Sequence, residues 1–207
     1  MKLLIKPLFI VFFSALFLLA CSDQTVPQEG QQYTAIAKPL EDKTLAPVSE
    51  VFSLTCGHCR NMEHFLGQIS EEAGTDIGKM HITFNDSAQA AALIYYAAEM
   101  QLGTTPDSAF MDELFAAVQM PSDSSETEKT QAIKNVFKAR ELISPDQLSQ
   151  QQNDDLRHKV ANIERLSTQS GINAVPTFIV NGRYQVIVGG HKTPKQIANT
   201  IRYLLKK

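Results

Sequence analysis

Cysteine is scarce in this chain. Three occur in 207 residues, Cys21, Cys56 and Cys59, too few for a scaffold stapled by several disulfides. There is no second cysteine pair beside Cys56 and Cys59, and His64, His81, His158 and His191 are scattered without close ligand spacing. A zinc site would need two further ligands that the pattern does not supply. An excess of positive charge is also missing. The formal net charge is −3, which argues against nucleic-acid binding through bulk charge. The apolar run Leu8 to Ala20 is too short to span a bilayer comfortably. No internal repeat is visible.

What the N-terminus does have is the layout of a processing segment: Lys2 and Lys6, then the apolar run, then Leu18-Leu19-Ala20-Cys21. A cysteine directly after a small residue at that point resembles a bacterial lipoprotein signal. Residues 1–20 are then a leader, Cys21 carries a lipid on a bacterial membrane, and the polar stretch to residue 31 is a tether. Ordinary cleavage leaving Cys21 as a free thiol is the alternative, with a retained membrane anchor as a lesser one. Export matters because disulfides persist in the periplasm and are rare in the cytosol. With Cys21 lipidated, every remaining cysteine lies in one CxxC pair, the pattern of a redox catalyst. About 185 residues remain, enough for one domain with a full core.

Cys56-Gly57-His58-Cys59 sits where the apolar run Val48–Thr55 gives way to helical spacing at Met62, Phe65, Leu66 and Ile69, ended by Gly74 and Gly78. Tyr33–Ala37 and Met80–Phe84 are further strand candidates, and Val48–Thr55, the helix and Met80–Phe84 make a βαβ unit with the cysteine pair at its first turn. Residues 88–168 carry only helical signals: Ala88–Met100, a segment around Phe110 and Phe115, a polar break at Ser122–Thr127, another segment around Ile133 and Phe137, and a restart at Pro145-Asp146-Gln147. Then Thr177–Val180, Asn181-Gly182 and Arg183–Val188 read as a hairpin, and Pro194 opens a final helix. The two β-containing parts must share one sheet, since neither buries its faces alone. The expected fold class is α/β, with residues 32–87 and 169–207 forming one unit and residues 88–168 inserted into it.

The chain resembles the thioredoxin fold, and more closely the DsbA family of periplasmic thiol oxidases. The resemblance rests on Gln32-Tyr33-Thr34, the CxxC, the helical insertion, and Val175-Pro176-Thr177-Phe178-Ile179-Val180-Asn181-Gly182-Arg183-Tyr184. It implies a thioredoxin-like fold, a cis peptide at Pro176 beside the cysteines, and Val175 presenting its backbone to an extended substrate peptide. Gly57-His58 departs from the Pro-His of the best-known members and looks like the dipeptide of eukaryotic disulfide isomerases.

Cys56 is the expected nucleophile, since a helix N-terminus and a nearby histidine stabilise a thiolate. Cys59 is the expected buried, resolving thiol. His58 is expected to donate a hydrogen bond or charge to that thiolate, against the reading of an idle turn histidine. Arg60 is a weaker candidate for the same role. Glu50, six residues before Cys56 inside an apolar strand, is costly to bury unpaired. The resemblance makes it a general acid/base for Cys59, and a strand-edge charge facing water is the alternative. Phe65, Met100, Phe110, Met111 and Phe115 are read as core. The expected partners are exported proteins with reduced cysteines and, by the resemblance, a DsbB-type quinone-linked oxidase of the inner membrane; no cofactor is expected. The rivals are an isomerase or reductase on the same fold and a non-catalytic peptide- or metal-binding lipoprotein.

Overall fold

Five short strands form one mixed sheet in the order β1-β5-β4-β2-β3. The computed structural model describes residues 26–207. The expected leader, Cys21 and the first part of the expected tether lie outside the described residues. In chain order the elements are β1 (Tyr33–Ala35), β2 (Val48–Phe52), α1 (Gly57–Ala73), β3 (Gly78–His81), α2 (Asp86–Leu102), α3 (Ser108–Val118), α4 (Glu126–Ala139), α5 (Gln150–Ser170), β4 (Thr177–Val180), β5 (Tyr184–Val186) and α6 (Pro194–Leu205). Strand β2 runs parallel to β3 and antiparallel to β4, and β5 pairs antiparallel with both β4 and β1. This is a thioredoxin-like α/β arrangement with four helices between β3 and β4.

The sheet separates two apolar cores. On β4, Phe178 and Val180 join Met62, Ile69, Ile197 and Ile201 of α1 and α6, while Ile179 between them joins the core of the helical block. That alternation is the two-residue period of a strand buried on both faces. The second core is aromatic: Phe52 meets His81, Tyr95 and Phe115 at ring separations of 5.0, 5.0 and 6.2 Å.

Helix ends follow local chemistry. Ser125–Glu128 and Ser149–Gln152 form capping boxes that start α4 and α5. The first begins α4 inside the expected break Ser122–Thr127. Pro145–Gln147 forms only a 3₁₀ turn, and α5 begins at Gln150. Asn181 and Gly182 have φ of 52° and 64°, the conformation of a tight hairpin turn. A side chain at Gly182 would also run into the Leu40 carbonyl.

Three strands are shorter than expected. Strand β1 ends at Ala35, β2 at Phe52 and β5 at Val186. Strand β3 is displaced: it begins at Gly78, where a Cβ would lie 2.7 Å from the Ala46 Cβ, and ends at His81. Gly78 therefore belongs to the sheet and does not stop a helix, while Phe84 lies outside it and is exposed. Phe65 is a second correction: it is exposed on α1, because Met62, Ile69 and Ala73 face the core.

Candidate active site

The turn after β2 delivers Cys56 to the start of α1 as its N-cap residue, with φ −96° and ψ 111°. An N-cap side chain accepts from the first-turn amides, and the Cys56 Sγ takes the Cys59 N–H at 3.1 Å. No acidic residue occupies the first turn of α1, so nothing there opposes negative charge on sulfur. Both cysteines are free thiols, Cys56 half-buried and Cys59 buried.

These surroundings drive the two thiols apart. Cys56 is lowered to about 6, first by the hydrogen bond from the Cys59 side chain, then, against the cost of burial, by the Cys59 and His58 backbone and the His58 charge. Cys59 is pushed far up, first by donating to Cys56 and then by burial. At neutral pH the accessible sulfur is a thiolate and the buried one a thiol.

His58 is exposed, and among the described residues its ring makes no hydrogen bond; it acts on Cys56 through its backbone and its charge. Arg60 does not turn to the sulfur. Its Nε and Nη2 bind Asp112 Oδ1 on α3 at 3.0 and 2.9 Å.

Val175-Pro176 is a cis peptide, and the Val175 carbonyl lies 3.7 Å from Cys56 Sγ, where it accepts from the protonated thiol only. The segment before β4 thus lies directly over the reactive sulfur with a backbone acceptor turned towards it.

Glu50 is completely buried; it does not face water at a strand edge. Register pairs it with Lys79 on β3, and Lys79 Nζ donates to both Glu50 Oε2 and Glu63 Oε2 at 2.7 Å. Burial raises the Glu50 carboxyl to about 7, against the pull of Lys79. Glu50 Oε1 meets no hydrogen-bond partner among the described residues. Burial disfavours the Lys79 ammonium, but Glu50 and Glu63 together hold its pKa above the ordinary value. Sequence reasoning missed Glu63 and Lys79. The available signal was an acid four residues after Cys59 on a helix, and a lysine in the strand beside a buried glutamate.

The family model described as Thioredoxin matches residues 41–202. The chain belongs to the thioredoxin family. Among curated relatives, the thiol:disulfide interchange protein DsbA of Escherichia coli (strain K12) is 28% identical over 205 residues, covering 87% of this chain and 89% of the relative. The protein of the same name from Salmonella typhimurium is 28% identical over 197 residues, covering 86% and 88%. Among solved structures, the disulfide oxidoreductase DsbA from Proteus mirabilis superposes with a TM-score of 0.62 at 22% identity, covering 87% of this chain and 98% of that one. Pseudomonas aeruginosa DsbA gives 0.67 at 17% identity, covering 87% and 93%. These likenesses show the fold. Family and relatives together make this protein a DsbA-like thiol:disulfide oxidoreductase.

Two measurements follow from this thioredoxin-family site. Alkylation of the reduced protein should titrate with a midpoint near pH 6 at Cys56, with Cys59 unmodified; a midpoint at the ordinary thiol value contradicts the assigned geometry. The second concerns Glu50. Its native pKa lies above the unfolded value, so its contribution to stability is complete below about 4.5 and is lost as pH rises through about 7. Glu50→Gln should therefore gain in urea midpoint relative to the parent as pH is raised through that window. A relative loss over the same window would place the pKa shift in the opposite direction.

Proposed function

We propose that the protein is a periplasmic disulfide donor, held to a bacterial membrane by a lipid on Cys21, that oxidises exported proteins through Cys56 and Cys59. Residues 32–87 and 169–207 act as the thioredoxin-like unit, and residues 88–168 as a helical insertion. The observation that carries this reading is the position of Cys56 as N-cap of α1, lowered to about 6. A stabilised thiolate favours the reduced protein and so makes its disulfide a stronger oxidant.

The reaction begins from the disulfide form. A substrate thiolate attacks Cys56 Sγ, the bond to Cys59 breaks, and Cys59 leaves with the electron pair and takes a proton. Glu50 is the proposed source of that proton, supported by its burial and its carboxyl raised to about 7. A second substrate thiolate then attacks the substrate sulfur of the mixed disulfide. Cys56 leaves as a thiolate, assisted by its low pKa and by the His58 charge. The substrate has lost two electrons and the enzyme has gained them. Val175 and Pro176 form the platform on which the substrate strand lies, a role supported by the Val175 carbonyl over Cys56. A DsbB-type membrane oxidase that passes electrons to quinone would restore the disulfide.

The reduction potential, from equilibration with glutathione, tests the direction. A value of about −120 to −180 mV supports the donor, whereas one near about −270 mV makes the protein a reductase. Cys56→Ser should abolish turnover, and Cys59→Ser, whose Cys56 thiolate can attack a disulfide-bonded substrate but has no partner to resolve the product, should accumulate the mixed disulfide. The anchor is checked separately: labelled palmitate should enter the parent and not Cys21→Ala, and equal labelling of both removes Cys21 from the proposal.

A further inference from the structure

The turn that carries Cys56 has one residue whose backbone polar groups it cannot satisfy from within. Cys56 N–H closes on the Ser53 carbonyl at 3.0 Å, and Thr55 N–H on Ser53 Oγ at 3.2 Å. The β2–β3 pairing gives out just before this point, with Ile82 N–H on the Phe52 carbonyl at 2.9 Å. Leu54, whose side chain is fully buried, is left with an N–H and a C=O that must find partners elsewhere. Two side chains from separate parts of the fold supply them. His81 Nε2, from the last residue of β3, accepts the Leu54 N–H at 2.9 Å. Gln119 Nε2, from the C-cap of α3, donates to the Leu54 carbonyl at 2.8 Å.

Both partners are themselves held. Since Leu54 N–H can only donate, His81 Nε2 must present its lone pair and the ring proton sits on Nδ1, which gives it to the Ile82 carbonyl at 2.7 Å. The imidazole is wedged against Phe52 and Tyr95, at 5.0 and 6.2 Å between ring centres. Burial favours this neutral ring, lowering His81 to about 4. Gln119 is placed by its own backbone N–H, which ends α3 on the Phe115 carbonyl at 2.8 Å.

We propose that His81 and Gln119 are positioning residues for Cys56: they hold the Leu54 backbone at its N–H and at its carbonyl, on two successive peptide groups, and fix the turn that sets the Cys56 sulfur on the N-terminus of α1. Neither side chain touches the sulfur. Gln119 belongs to the helical block, so that block holds the redox turn as well as covering the sheet. The inference deepens the thiol–disulfide reading of this site and rests on it.

The test uses the full-length protein. Gln119→Met keeps the length of the side chain and removes its donor. The alkylation midpoint of Cys56 should rise, by no more than about one pH unit, since the worth of one neutral hydrogen bond is the ceiling on what its loss can pass to the thiolate. The equilibrium with glutathione should move towards the disulfide form of the protein by no more than about tenfold. Gln119→Lys, which restores a donor of similar reach, should recover part of both shifts. Gln101→Met is the control for general destabilisation. Gln101 also holds the backbone of one residue in the helical block, donating to the Ile143 carbonyl at 2.8 Å and accepting its N–H at 2.9 Å. It should lower the thermal midpoint and leave the Cys56 titration unchanged.

A folded Gln119→Met that titrates and equilibrates like the parent overturns the proposal, as does an equal shift from Gln101→Met. If Gln119→Met does not fold, Gln119→Glu, which ionised has no donor, is read by the same two measurements. Failure of the parent itself to exchange with glutathione would remove the oxidoreductase reading. The alkylation midpoints would still decide the role of Gln119.

Discussion

The hydrogen bond from the Cys59 N–H to the Cys56 sulfur at 3.1 Å is the constraint around which the fold is arranged. It requires a strand to end, a turn to close and a helix to begin within four residues. The strand must also lie in the sheet interior, so that the helix start is fixed relative to everything else. Strand β2 meets this by pairing with β3 on one side and β4 on the other. Helix α1 is held against α6 and the sheet by Met62, Ile69 and Ala73. Strand β4 then brings Val175 over the sulfur from the opposite end of the sequence. A slip of one residue in β2 would send its buried side chains to the wrong face and carry Cys56 off the helix axis.

Beneath that bond lies an arrangement of charges that hydrophobic packing alone would disfavour. Lys79 is shared by Glu50 and Glu63 inside the protein. Burial, with a smaller push from the Glu63 charge, outweighs the pull of the Lys79 ammonium and holds the proton of the deeper carboxyl towards neutrality. A buried ion pair is weak evidence of stability. The group feels Cys56, and Cys59 feels it in return. The state of the dithiol and the state of the carboxyl are therefore coupled electrostatically.

Features set by local spacing were legible in the sequence. The βαβ unit, the hairpin at Asn181-Gly182 and the strand-to-helix position of the cysteines each depend on residues a few places apart, where periodicity and turn chemistry operate. The cis peptide at Pro176 came from the resemblance and from no local signal. Strand ends were overestimated: apolar residues such as Leu54 and Phe84 extend the pattern of a strand without its pairing. Phe65 was misplaced for a related reason, since helical spacing identifies an apolar set but not which members meet the sheet. What spacing cannot express is register. Lys79 stands 29 residues from Glu50, and only the alignment of β2 with β3 makes them neighbours. The same holds for Gln119 and Leu54, 65 residues apart.

The dipeptide between the cysteines was the sequence feature that left the direction of electron flow open, and the structure moves the weight of that question elsewhere. Gly57 occupies open space and the His58 ring is exposed, so neither shapes the packing of the site. The largest influence on Cys56 is Cys59, first through its thiol and then its backbone N–H, with the His58 charge last in order. A thiolate held mainly by its partner cysteine and the helix start depends on the turn that aims it more than on the residues it spans. Oxidising strength would then be tuned by what fixes that turn, namely the grip on Leu54 from β3 and α3. This accounts for how a chain with Gly-His between its cysteines still sets a lowered Cys56 thiol beside a raised Cys59 thiol.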